Sequence, residues 1–173
     1  HVASANWLAT ALHAAMQLAE HDALLVDISS TTTDFIALRR GRVLTHARSD
    51  ADRLASGELV YHGVVRTPLC AVTQRIAWRG REFNVMNEFF ATTADVYRAT
   101  GELDAAHDQA ASADNAAKDT RATQQRMARM IGLDNLSLVS SNLKRPAFIV
   151  SPEQREGIAA YFKDGWFDVD YRA

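Results

Sequence analysis

A chain of 173 residues with a net charge of −2, 47% hydrophobic and 23% charged residues, is long enough for one domain with a real core and short for two. This balance offers no general attraction for nucleic acid or an anionic membrane, and the apolar runs fall far short of the roughly 18 residues of a membrane span. The single cysteine, Cys70, leaves no internal disulfide to form and suggests a reducing compartment, so a cytoplasmic location is expected.

Leu8, Leu12, Ala15, Met16 and Ala19 recur at helical spacing, which predicts a helix over 3–20 packed on a sheet. Strands are expected at 23–28 and 34–40, and Arg40-Gly41 then turns the chain into a third near 42–47. Together they form an antiparallel meander. Ser49-x-x-Asp52 fits a capping box, with Leu54 facing inward and Gly57 ending a short helix. Strands are expected again over 59–65 and 71–78, with Arg79-Gly80 turning toward 83–86. A helix over 88–100 places Phe89, Thr93, Val96 and Tyr97 on one face and stops at Gly101.

Residues 104–119 are almost all Ala, Asp, Gln, Asn and Ser and read as a mobile surface loop or a weak helix. Asp119 or Thr120 caps a helix carrying Met127, Met130 and Ile131, closed by Gly132. Ser151-Pro152-Glu153-Gln154 starts a last helix, with Ile158, Tyr161 and Phe162 inward.

The stretch that bears chemistry lies between the first two strands. Asp27 and Asp34 stand seven positions apart and bracket five hydroxyl residues, Ser29, Ser30, Thr31, Thr32 and Thr33. A hydroxyl-rich turn between strands can bind phosphate, because backbone N–H groups converge inside it and the hydroxyls add uncharged donors. Asp27 and Asp34 could hold Mg²⁺ at its ends, directly or through water. The same residues also suit an ordinary Ser/Thr-rich turn with an Asp as cap. Asp34→Asn is expected to abolish Mg²⁺-dependent binding with little loss of stability.

Other chemistries are poorly represented. The six histidines lack i, i+4 zinc spacing and a partner cysteine pair, and Cys70 reads as a small packing residue. There is no Gly-x-Ser-x-Gly elbow, no Gly-x-Gly-x-x-Gly and no Walker loop. Arg66-Thr67 ends a strand, where Arg66 suits either a phosphate oxygen or a surface carboxylate. Asp95 reads as a base, as a residue behind Mg²⁺, or as a solvated helix position, and Tyr97 reads as core.

Asp27-x-x-Ser30-Thr31-Thr32-Thr33-Asp34 resembles the second phosphate loop of the actin/hexokinase-like ATPase superfamily. More narrowly it resembles the hydantoinase/oxoprolinase-related branch, whose loop reads Asp-Ile-Gly-Ser-Thr-Thr-Thr-Asp. Ala5-Asn6-Trp7, Arg48-Ser49-Asp50, the block from Gly57-Glu58-Leu59-Val60-Tyr61 to Arg66-Thr67-Pro68, and Glu88-x-Phe90-Ala91-Thr92-Thr93-Ala94-Asp95-Val96-Tyr97 are similar to one subfamily of that branch. These are the tetrahydromethanopterin-linked one-carbon-transfer pathway proteins, similar to the methanofuran-biosynthesis enzyme that joins a furan unit to a tyramine unit. The likeness spans residues 5–132.

The resemblance implies an α/β fold with a mixed sheet, a ribonuclease H-like lobe of a two-lobe protein. Residues 1–173 would be a single domain, the C-terminal lobe. Its expected partners are a small-molecule phosphate or diphosphate substrate and the N-terminal lobe with its own phosphate loop, or a second copy in a homodimer, with no nucleic acid or membrane. The implied reaction joins a furfuryl diphosphate to a tyramine-type phenol with loss of diphosphate. Mg²⁺ is the implied cofactor, with ATP or a diphosphate-bearing ligand in the cleft.

On this reading Asp27, Asp34 and Asp95 serve catalysis, the first two as metal ligands. Ser29 to Thr33, Arg66 and Thr67 hold phosphate. The isolated chain is expected to be inactive. An ATP-dependent small-molecule kinase, an oxoprolinase-like hydrolase and a non-catalytic nucleotide-binding module are the alternatives. The chain departs from the family at Ser29, where the loop has Gly, and at Asn115, where Thr-Ala-Asp-Gly becomes Ser112-Ala113-Asp114-Asn115.

Overall fold

Alanine decides how the first helix sits. The structure, a computed structural model, describes residues 6–134, and helix α1 runs over Asn6–Gln17, shorter than the expected 3–20. Its buried residues are Ala11 and Ala15, each fully enclosed, whereas Leu12 and Met16 are 49% and 76% exposed. The expected Leu/Met face is therefore not the packed one: small side chains one turn apart let the helix lie close to the sheet, against Ile36 and Leu38.

That sheet is built from β1 (Asp22–Ile28), β2 (Thr33–Arg39), β3 (Arg42–Val43) and β4 (Leu59–Val60), all antiparallel. The expected meander is present, although its third strand is only two residues long. β2 is central. It pairs with β1 along one edge, and along the other with β3 at its end and β4 at its start. Covered on both faces, β2 buries every residue from Thr33 to Leu38, which is why it reads as a continuous apolar run after Asp34. Arg40 and Gly41, with φ of 44° and 78°, make the two-residue turn into β3; successive positive φ values suit the strand twist, and Gly reaches them without strain.

Helix α2 (Asp50–Ser56) begins with the expected capping box. The Ser49 side chain accepts from the Asp52 N–H, and the Asp52 carboxylate accepts from the Ser49 N–H. Hydrogen bonds from the Arg48 N–H and the Ser49 hydroxyl hold the Asp52 carboxyl below its usual range. Gly57 closes the helix at φ 79°. Leu54 is 49% exposed, however, and the residue turned inward is Arg53, at 2%.

The described residues divide into two compact units, one running to Tyr61 and the other beginning at His62. In the second, the expected strand over 59–65 ends at Val60, and the one over 71–78 becomes a short helix α3 (Leu69–Val72) followed by β5 (Arg75–Trp78). Pro68 starts α3, since proline sets a helical φ and has no N–H to leave unpaired. β5 pairs with β6 (Arg81–Asn84) in a hairpin through Arg79 and Gly80.

The expected helix over 88–100 begins only at Thr93, as α4 (Thr93–Thr100). Thr92 and Asp95 form a capping box that fixes this start, and Phe89, left outside it, is 55% exposed. Gly101 ends α4 at φ 76°, as read from the sequence. Residues 104–119 carry no helix or strand, yet Ser112 is buried and Asn115 adopts φ 55°, a left-handed value asparagine tolerates well. Asp119 caps α5 (Thr120–Arg129), its side chain accepting from the Ala122 N–H at 2.9 Å. Met127, Met130 and Ile131 join Leu69, Val72, Ala91 and Val96 in the core of this unit.

The helix expected from Ser151 lies outside the described residues. No helix among the described residues is long and apolar enough to cross a membrane.

Candidate functional site

The hydroxyl row turns β1 into β2, and Ser29 organises it. The Ser29 N–H donates to the Thr32 carbonyl at 2.9 Å, and its hydroxyl donates to the same oxygen at 3.0 Å. That hydroxyl oxygen also accepts from the N–H groups of Thr31 at 3.4 Å and Thr32 at 3.2 Å. The Ser29 side chain therefore occupies two of the backbone donors that a phosphate would use. Ser29 has no positive φ, so replacing the family's Gly brings no backbone strain at this position. Ser30 is exposed at the tip, its hydroxyl 3.4 Å from that of Thr31, and Thr33 is buried at 1% as the first residue of β2.

Below the turn, Asp27 and Asp34 stand directly opposite each other across the ladder. Residues opposite one another in an antiparallel pair project to the same face, and two like charges there repel. Arg53 of α2 relieves the repulsion. Its Nη2 pairs with Asp34 Oδ1 and donates to the Glu58 carbonyl at 3.3 Å. The Trp7 ring, in the first turn of α1, lies 4.0 Å from the Arg53 guanidinium carbon. Asp34 is 8% exposed, and Asp27 is half-buried.

The same Glu58 carbonyl accepts from the Phe35 N–H at 2.9 Å, and the Glu58 carboxylate accepts from the Thr45 hydroxyl at 2.7 Å, which ties α2 to the sheet. A cleft of about 340 Å³ opens over this arrangement, lined by Asp27, Ser29, Thr32, Asp34, Arg53 and Tyr61 among others. Ser29, Thr32, Asp27 and Asp34 thus meet at one cleft, as the bracketed hydroxyl row suggests.

Arg66, Thr67 and Asp95 belong to the second unit. Arg66 is exposed and makes no side-chain hydrogen bond or ion pair with another described residue. Thr67 is 3% exposed; its hydroxyl accepts from the Gly63 N–H at 2.8 Å and donates to the Gly63 carbonyl at 3.2 Å, closing a turn. Asp95 is 1% exposed, so it is not a solvated helix position. It accepts from the Thr92 N–H at 3.1 Å, from Arg98 at 2.7 Å and from Arg126, itself fully enclosed, at 2.8 Å. Those three donors direct the Asp95 carboxylate to joining α4 and α5.

Around this ion pair, Arg98 meets Asp108 at 2.8 Å and Arg126 meets Asp114 at 3.1 Å, which anchors the segment without regular structure. Burial works to raise the Asp114 pKa, but the Ala116 N–H, the Arg126 charge and the Ser112 hydroxyl outweigh it and hold the carboxyl below its usual range. Tyr97, read as core, is half-buried; burial first, then the Glu102 charge, raises its phenol pKa.

The residue missed from sequence is Arg53. A basic side chain on a short capped helix reads as a solvated face, and the available signal was only that Asp34 needs a counter-charge once β2 is buried. Trp7 was legible through the Ala-Asn-Trp resemblance, but without its role as the surface on which Arg53 stacks. Among the described residues no three His, Cys, Asp or Glu side chains gather as a metal cage.

The chain is 35% identical over 133 residues to the (4-{4-[2-(gamma-L-glutamylamino)ethyl]phenoxymethyl}furan-2-yl)methanamine synthase of Methanocaldococcus jannaschii, covering 77% of this chain and 40% of that protein. It is 38% identical over 77 residues to the synthase of the same name from Methanococcus vannielii, covering 44% of this chain and 34% of that one. The chain thus spans well under half the length of either relative. Residues 1–142 match the hydantoinase/oxoprolinase family, in agreement with the reading of the Thr-rich loop. A match of that extent, together with the loop and its flanking blocks, establishes that this chain belongs to the hydantoinase/oxoprolinase family.

Proposed function

We propose that this chain is part of a transferase of methanofuran-type coenzyme biosynthesis, a ribonuclease H-like lobe that helps join a furfuryl diphosphate to a tyramine-type phenol. The observation that carries the reading is the 35% identity, over 77% of the chain, to a synthase named for a phenoxymethyl-furan ether. The loop supports it. Thr32 lines a cleft beside Asp27 and Asp34, so a hydroxyl and two carboxylates stand where a diphosphate and its counter-ion would enter.

Mg²⁺ fits this donor set in one way. Two facing carboxylates, one already paired with a guanidinium, are too few for a protein cage, but Mg²⁺ commonly uses one or two carboxylates and completes its shell with water and phosphate oxygens. Asp27 and Asp34 would hold it, and when bound it would neutralise charge developing on a departing diphosphate. The chain's own residues orient and bind. Ser30 and Thr31 offer hydroxyls at the tip, Thr32 offers one in the cleft, and Arg53 fixes the Asp34 carboxylate. As the furan methylene–oxygen bond breaks, its electron pair leaves with the diphosphate, the phenol oxygen forms the new bond to the methylene, and the phenol proton passes to solvent.

The test is an assay of furfuryl diphosphate with a tyramine-type phenol, using this chain and a longer protein that spans the relatives' full length. We expect ether formation from the longer protein and none from the chain alone. A longer protein that releases no diphosphate would overturn the reading. Membership of the hydantoinase/oxoprolinase family favours a second reading, an ATP-dependent hydrolase or kinase, which ATP turnover without the furan substrate would support.

A further inference from the structure

Arg53 stands between two clefts. One, of about 340 Å³, carries Asp27, Ser29, Thr32 and Asp34. The other has the same volume and is lined by Leu8, Thr45, Ala47 and Arg48, with more apolar than polar wall. Trp7, Asp50 and Arg53 contribute to both. The Arg53 Nη2 is used on Asp34 and Glu58, but its Nε is fully enclosed and has no acceptor among the described residues. Enclosed donors without partners are few in native proteins, and one on a cation is especially unfavourable. A cation with an unused N–H, beside an apolar slot with an indole in its wall, suits a flat ring bearing one oxygen that can take negative charge.

We propose that the second cleft, beyond the Trp7–Arg53 stack, receives the phenol acceptor, with its ring against Trp7 and its oxygen on Arg53. This assignment rests on the transferase reading and adds to it a site and a residue. A phenol ionises near pH 10 when unperturbed, and a guanidinium cannot take up its proton. Arg53 therefore acts by stabilising the phenolate, while the proton leaves to solvent. The ion pair with Asp34 holds the guanidinium in place and links the two clefts through one side chain. Because Nε is enclosed, the phenol oxygen reaches it only as the wall bearing Trp7 yields.

The experiment uses tyramine labelled with ¹³C at the carbon bearing oxygen, followed by NMR in the presence of the protein, with inorganic pyrophosphate as the second probe. Saturable tyramine binding is expected with pyrophosphate bound at the same time, and the bound phenol should titrate about one pH unit or more below the free one, a tenfold stabilisation of phenolate. Arg53→Lys keeps the charge and the partner for Asp34 but lacks the planar fork, and should lose most of that shift. Trp7→Leu should weaken tyramine about tenfold, and Leu8→Ala, which changes the second cleft alone, should weaken tyramine and leave pyrophosphate unchanged. Displacement of tyramine by pyrophosphate, an unshifted phenol titration, or no saturable tyramine binding would each overturn the assignment. Tyramine binding with the shift but no pyrophosphate binding would instead refute the diphosphate loop and leave the second cleft standing.

Discussion

At the scale of single residues, Arg53 and Ser29 set the form of the cleft. Arg53 is the counter-ion of a buried carboxylate, so Arg53→Ala should destabilise the protein by about 3–5 kcal/mol in urea unfolding, because it strands Asp34 without a partner. The converse substitution corrects an expectation. From the sequence alone Asp34→Asn should cost little stability, but it leaves a guanidinium 2% exposed and only partly compensated, so it should lower the urea midpoint as well. Asp27 and Asp34 were legible as a pair because a hairpin turn places both ends of a seven-residue spacing on one rung. Arg53 was not, because nothing in a helix of seven residues says whether Arg53 or Leu54 points inward until the sheet beneath it is charged. Ser29 yields a prediction with the opposite sign. Its hydroxyl accepts the Thr31 and Thr32 N–H groups, so Ser29→Gly should release them and tighten pyrophosphate binding up to about tenfold by calorimetry, the worth of one net hydrogen bond or slightly more.

At the scale of elements, caps were read more surely than strands. Ser49, Gly57, Gly101 and Asp119 stand where capping chemistry puts them, since each acts through backbone groups within a few residues. Gly101→Ala meets no atom within 4 Å of the new Cβ, so its cost is the left-handed φ alone, about 1 kcal/mol in urea unfolding. The expected strands over 59–65 and 71–78 fared worse, because a β-rich composition there is overridden by Pro68 and by turns that tertiary hydrogen bonds close, such as Thr67 to Gly63. The segment 104–119 shows the same limit: its polar composition suggests nothing to bury, yet Asp108 and Asp114 engage arginines of α4 and α5. Asp114 has a depressed pKa, so its stabilising contribution is complete above the ordinary carboxylate value near 3.9 and is lost as pH falls through the lower folded value. Asp114→Asn should therefore be less stable than wild type at pH 7, with the gap closing below about pH 4 when melts are compared.

At the scale of the whole molecule, family and loop agree while the unit that holds the loop is small. The antiparallel hairpin, its two facing carboxylates and the hydroxyl turn all belong to the first unit, and they carry the central claim that this cleft binds a diphosphate with Mg²⁺. Asp27 offers the cleanest access to that claim. It is half-buried, has no ion pair among the described residues, and faces the same cleft as Asp34 without anchoring α2. Calorimetric titration of pyrophosphate, with and without Mg²⁺, into wild type and Asp27→Asn therefore separates ligand binding from folding. Wild type should show saturable, Mg²⁺-dependent binding, weakened about tenfold or more in Asp27→Asn at an unchanged melting temperature. Equal affinity in the two proteins, or binding indifferent to Mg²⁺, would contradict that claim.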